Sequence, residues 1–209
     1  MLARSLPSQG LEVGHMARAI SSVGLEPVPI GAQDEYKLKG AVYAYLQYGI
    51  PVLMIVVLYA VSGATPAPVG GHAVAVTGYS LGASAPEPHG PTGFLLKASR
   101  VDKLYVHDDQ VGPFARMVLD GQPIKLMHNG KLTVLSSSST SWKAPDGGPI
   151  RAAPRTMLVP VYHKIRIPFD LIHKVVVCFD AMLEQFRVRG LAPLQSRPVW
   201  DIYLCKVSD

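Results

Sequence analysis

Two stretches of the sequence carry the residue types from which a hydrolytic site can be assembled. Gly70-Gly71-His72-Ala73-Val74-Ala75-Val76-Thr77-Gly78-Tyr79 sets a histidine at the opening of an apolar run, behind two glycines. Lys103-Leu104-Tyr105-Val106-His107-Asp108-Asp109-Gln110-Val111-Gly112-Pro113 is a second β-rich run, and it ends on two carboxylates. A thiol or hydroxyl nucleophile needs a base beside it, and the base needs a group that fixes its tautomer and stabilises the imidazolium. A histidine at the mouth of one strand and a carboxylate at the end of its neighbour meet that requirement. The small Ala73 and Ala75 leave room for another element to pack close to the histidine strand.

Blander readings exist for the same residues. A single histidine on a strand is often a hydrogen-bonded core residue, and Asp108-Asp109 ahead of Gly112-Pro113 can simply end a strand in a turn. His72, His107, Asp108 and Asp109 together could be a metal set. No HExxH or comparable spacing supports one, and strand alternation turns His107 away from the neighbours of Asp108, so no metal and no cofactor is expected. His15, His89, His128, His163 and His173 carry no motif and are expected on the surface or in loops. Tyr43, Tyr45 and Tyr48 interleave with Lys37 and Lys39, which reads as a helix with buried tyrosines and not as a stacking platform for nucleic acid.

The elements that must position these residues are legible in the periodicity. Val13, Met16, Ala17, Ile20 and Val23 recur at helical spacing before Gly24. A second helix starts at the cap Asp34, turns Leu38, Val42, Tyr45 and Leu46 inward, and stops at Gly49. Strands follow at Pro51–Tyr59, His72–Tyr79, Gly93–Ala98 and Lys103–His107, separated by Gly- and Pro-rich segments at 62–71 and 80–93. Residues 136–154 are rich in Ser, Gly and Pro and read as a linker. Beyond them come a strand at Thr156–Tyr162, a helix after Pro168, and a strand at Val199–Val207. The helix carries Phe169, Ile172, Val175, Val176, Phe179, Met182, Leu183 and Phe186 on one wide apolar face.

In that order, the pieces RSLPSQGLEVGHMARAISSVGLEPV, YGIPVLMIV, GGHAVAVTGY and LYVHDDQVGP resemble papain-like cysteine peptidases of the bacteriocin-leader-processing type and their bacterial relatives, over about 115 of the 209 residues. The resemblance implies His72 as general base and Asp108 as its orienter, with Asp109 as the alternative orienter. The fold expected is α+β: the resemblance makes residues 1–135 a papain-like half-domain of helices then antiparallel sheet, and the composition and periodicity add a linker over 136–154 and a small appended α/β element over 155–209. The resemblance also implies a peptide or protein substrate and a cysteine at a helix N-terminus ahead of Arg4. No cysteine precedes His72. Cys178 falls within a predicted helix and Cys205 in a terminal strand, so both are expected to be reduced core residues. The expectation is a cysteine-peptidase-like protein that is a fragment or is inactive as it stands. The alternative is a non-enzymatic binding or scaffold protein that retains the fold.

Composition narrows the setting. Hydrophobic residues make up 48% of the chain, enough for a sizeable core. The net charge of +5 is scattered without a basic run, which argues against a nucleic-acid partner. The most apolar segment, 50–61, is shorter than the roughly 20 residues of a membrane span. With two cysteines and no signal-like N-terminus, the expected setting is soluble and cytoplasmic.

Overall fold

The computed structural model describes residues 12–62, 65–128, 131–165, 168–191 and 195–204. In chain order the elements are α1 (Val13–Ser22), β1 (Leu25–Gly31), α2 (Glu35–Leu46), β2 (Val52–Ala60) and β3 (Ala67–Leu81). Next come the short β4 (Pro88–His89) and β5 (Phe94–Leu95), a 3-10 turn at Lys97–Arg100, β6 (Val101–Asp108) and β7 (Gly112–Val118). The series ends with β8 (Ile124–His128), β9 (Lys131–Leu135), β10 (Ser138–Lys143), β11 (Pro149–Tyr162) and α3 (Phe169–Val188).

Seven strands form one antiparallel sheet in the order β1-β11-β10-β7-β6-β3-β2, and β11 also pairs with β2. That last pairing rolls six of the strands into a closed ring, which removes their free edges along most of their length. The 14-residue β11 makes the closure possible. Ile150 to Leu158 run along β2, from Ile150↔Ala60 to Leu158↔Leu53. On its other edge, β11 pairs first with β10 and then, from Thr156 to Tyr162, with β1. The register shifts between Pro154 and Thr156, a bulge that accommodates a proline with no N–H to donate.

Alternation decides what fills the ring. Val52, Met54, Val56 and Leu58 of β2 point inward and meet Val74, Val76, Leu104, Val106, Met117, Trp142, Ile150 and Ala152 in one buried cluster. α2 joins the same cluster through Leu38, Val42 and Tyr43. It is started by Asp34, whose carboxylate accepts the Tyr36 N–H at 2.9 Å, and its Tyr43 packs on Tyr79 near the end of β3. On the outside, α1 lays Met16 and Ile20 over Leu158, Leu53, Ile55 and Ala73. The β8–β9 hairpin covers Tyr59 and Ala153.

Several expectations are corrected. The chain is mostly antiparallel β, 44% strand against 25% helix, so a half-domain of helices followed by a sheet is not what it forms. The stretch 136–154, read as a linker, contains β10 and the start of β11. Residues 155–162 complete β11 between β1 and β2, so the element expected as an appendage is central to the sheet. The expected strand at Gly93–Ala98 is only the two-residue β5 running into a 3-10 turn. Of the strand expected at Val199–Val207, the described part makes a single bridge, Leu96↔Trp200, while Cys205 and its successors lie outside the described residues. Cys178 is exposed and not in the core. Tyr43 and Tyr45 are buried, and Lys37 and Lys39 are paired with Asp170 and Glu35. Among the described residues, no helix is long and apolar enough to cross a membrane.

Candidate active site at the mouth of the barrel

His72 and Asp108 meet because their strands are neighbours and their side chains share the inward face. β3 pairs with β6 from Ala75↔His107 onward. On β3, His72 continues the inward series of Val74 and Val76; on β6, Asp108 continues that of Leu104 and Val106. Both residues therefore sit at the rim, where the apolar interior gives way to the opening. His72 Nε2 contacts Asp108 Oδ2 directly. Asp109 Oδ1 lies 3.6 Å from the same nitrogen, but its side chain is 83% exposed where that of Asp108 is wholly covered. The structure thus brings all three sequence-predicted residues together and makes Asp108 the direct partner. His107 faces outward against Phe114.

The Asp108 carboxylate is held from several sides. Its Oδ1 accepts the backbone N–H groups of Gln110 at 2.8 Å and Val111 at 2.7 Å, an Asx-type turn that ends β6. Gly112, at φ +104°, completes the turn in a conformation that favours glycine. Burial pushes the Asp108 pKa up, but hydrogen bonds from His72 and from the Val111 and Gln110 N–H groups, with the nearby Trp142 indole, outweigh it, and the net shift is downward. The carboxyl therefore stays ionised. Because a carboxylate only accepts, it fixes the proton of neutral His72 on Nε2 and leaves Nδ1 as the free acceptor of the ring.

Trp142 was not foreseen. It projects inward from β10, is 5% exposed, and meets the His72 ring edge to face, with centroids 5.5 Å apart and planes at 83°. Its indole shields the pair from water, which strengthens the electrostatic interaction between them. A signal for it exists in the sequence: Thr140 and Trp142 precede Asp146-Gly147-Gly148, a hairpin turn, and Ile150 opens the next strand.

In front of His72 lies a cavity of about 500 Å³, lined by Leu58, Gly70, Gly71, His72, Val111, Trp142 and Ile150 among others. It opens where the barrel wall is notched. β2 pairs with β3 all the way to Ala60↔Ala67, but β6 reaches only to the level of Ala75. Among the described residues, no strand pairs with the second edge of Ala67–Ala73. Gly70 and Gly71 place no side chain on that rim, and a Cβ added to either would meet nothing within 4 Å.

His72, Asp108 and Asp109 also bring one ring nitrogen and two carboxylates within 4.8 Å of one another, so they could ligate a cation. The carboxylate of Asp108 is already committed to three donors, and ligation would have to break its contact with His72. Elsewhere, His89 stacks on Tyr36 at 3.8 Å, and His173 is half-buried against Phe169 and Phe94, so neither is the free surface residue expected from the sequence. Burial and the neighbouring His89 lower the His173 pKa. Cys178 stands on α3, outside the cavity lining. No family model, curated protein or solved structure matches this chain.

Proposed function

We propose that His72 and Asp108 are the base and orienter of a cysteine-peptidase-like hydrolase acting on peptide-type carbonyls. The observation that carries this reading is their contact at the barrel mouth, shielded by Trp142 and facing a cavity. His72 Nδ1 takes the proton of a thiol in the cavity, and the thiolate attacks the carbonyl. Asp108 stabilises the imidazolium, which then protonates the leaving amine. The unpaired edge of Ala67–Ala73 supports an extended peptide as substrate, since strand addition there would satisfy its backbone. None of the residues lining the cavity is a cysteine. The reading therefore requires a thiol from outside the described residues or from another chain. The exposed, free Cys178 fits a reducing, cytoplasmic setting.

The thiol-free lining equally favours a second reading, a binding or scaffold protein that accepts extended peptides in the same notch without cleaving them. The test begins with the intact mass and N-terminal sequence of the protein from its native cell, followed by turnover of a peptide library by that form. The hydrolase reading expects turnover that His72→Ala lowers by about 10²- to 10⁴-fold, the usual contribution of a general base. Undiminished turnover in His72→Ala would refute it, and peptide binding without turnover would establish the scaffold.

A further inference from the structure

α3 is amphipathic twice over. Phe169, His173, Val176, Asp180 and Leu183 follow one another at spacings of four and three and face the body of the protein. This stripe is firmly attached. Asp180, 0% exposed, accepts the Trp200 indole N–H at 2.7 Å and contacts Arg197, while Tyr45 Oη accepts the Phe169 N–H at 3.1 Å. A helix pinned through a buried carboxylate cannot roll to hide another face, because rolling would expose Asp180 and strand Arg197.

The second stripe is nevertheless apolar. Ile172, Val175, Phe179, Met182 and Phe186 recur at intervals of three, four, three and four, the spacing of a helix–helix seam. With Leu171 they are between 36% and 58% exposed. At roughly 100 Å² apiece they offer on the order of 600 Å², at the top of the range for the largest patch on a monomer and about three quarters of the roughly 800 Å² per partner of a standard interface.

We infer that this stripe is the interface of a homodimer in which α3 packs antiparallel against α3 of a second copy. Two further observations favour a second copy. The open flank of the seam is Leu171, Cys178 and Gln185, which carry no charge, so two copies of a chain of net charge +5 meet there without like-charge repulsion. In addition, a small apolar dimple of about 60 Å³ lies beside Ile172, between Tyr45, Phe169 and Tyr203. A two-fold axis near Phe179 brings Phe186 of one copy to that dimple on the other.

The experiment is sedimentation equilibrium of the full chain from about 1 to 200 μM, beside the double variant Val175→Glu/Met182→Glu. Both substituted positions lie off the docked stripe, and circular dichroism checks that the variant is folded. The wild type is expected at twice its 22.5 kDa, that is 45 kDa. The variant is expected to be monomeric, with a dissociation constant raised about 100-fold or more by four like charges in the seam. Alkylation of Cys178 should slow with rising concentration in the wild type only. A wild type that stays monomeric overturns the inference, whether Cys178 reacts freely or is protected by another segment of its own chain. A dimer that survives the two glutamates also overturns it, by placing the interface elsewhere.

Discussion

Replacing Asp108 with Asn isolates what the carboxylate does for His72. The side chain is fully buried, and Oδ1 of the amide can still accept from Gln110 N–H and Val111 N–H, so the turn at the end of β6 survives. The other amide atom becomes an NH₂ group aimed at His72 Nε2. Two donors cannot face each other, so His72 must move its proton to Nδ1 and accept at Nε2. Nδ1, the atom that the proposed function uses as base, is thereby blocked. A hydrogen bond to a charged, buried group is worth about 1.5–3 kcal/mol against about 0.5–1.5 for a neutral one, so Asp108→Asn should cost about 1 kcal/mol or somewhat more at pH 7.

The pH dependence supplies an independent check. The folded pKa of Asp108 is depressed, with burial raising it and the donors from His72, Val111 and Gln110 more than compensating. Its stabilisation is therefore fully present above the ordinary Asp value near 4 and is lost as pH falls through the lower folded value. The difference between wild type and Asp108→Asn should be widest at neutral pH and shrink below about pH 4. Urea denaturation across pH measures the energy, and ¹⁵N correlation spectra of the imidazole report the tautomer. An unchanged His72 tautomer in Asp108→Asn, with a cost under about 0.5 kcal/mol, would show that the carboxylate does not hold the ring.

Two further perturbations test the frame around the site. Gly40→Ala in α2 places a methyl 2.6 Å from Phe169 Cζ and 3.3 Å from Leu96 Cδ2. Overpacking of about 1–3 kcal/mol then exceeds the roughly 1 kcal/mol gain in helix propensity, so urea unfolding should show a net loss; a stabilised variant would contradict the close α2–α3 approach. Asp120 is held at about 2, first by its hydrogen bonds from Arg151. Being depressed, it contributes stability above pH 4 that is lost as pH falls toward 2, held to about 1 kcal/mol or less because the pair is open to solvent, and Asp120→Asn should lack that share of the acid transition.

The sequence was most legible where one face of an element is buried and one is not. α1, α2 and β2 were found close to their observed bounds because their apolar residues repeat at 3.6 or 2.0 and end at Gly24, Gly49 and Pro51. The His72 and Asp108 runs were readable for the same reason. β1 escaped notice because LEPVPIG holds two prolines; it tolerates them by pairing with β11 alone, at the end of the strand order. β10 was hidden by its serines. Ser138 is fully buried with its hydroxyl near the Ala152 carbonyl, and Thr140 donates to the Ile150 carbonyl at 2.6 Å, so hydroxyls that signalled a loop are absorbed by strand pairing. Both misreadings concern β11 and its partners, and a ring closure depends on long-range register that no local window contains.

That closure also explains why the site lies where it does. Backbone groups within the ring are satisfied by neighbouring strands, and the inward side chains are apolar, so a charged pair has no place in the middle. At the mouth the constraint relaxes. β6 stops at Asp108 while β2 and β3 continue to Ala60 and Ala67, so the turn after β6 can turn its N–H groups back onto the carboxylate. The same mismatch in strand length that leaves an edge of β3 unpaired thus supplies the donors that keep Asp108 ionised. Lengthening the β6–β7 hairpin by a residue pair would fill the notch and remove those donors together, which couples access to the cavity with the charge that orients His72.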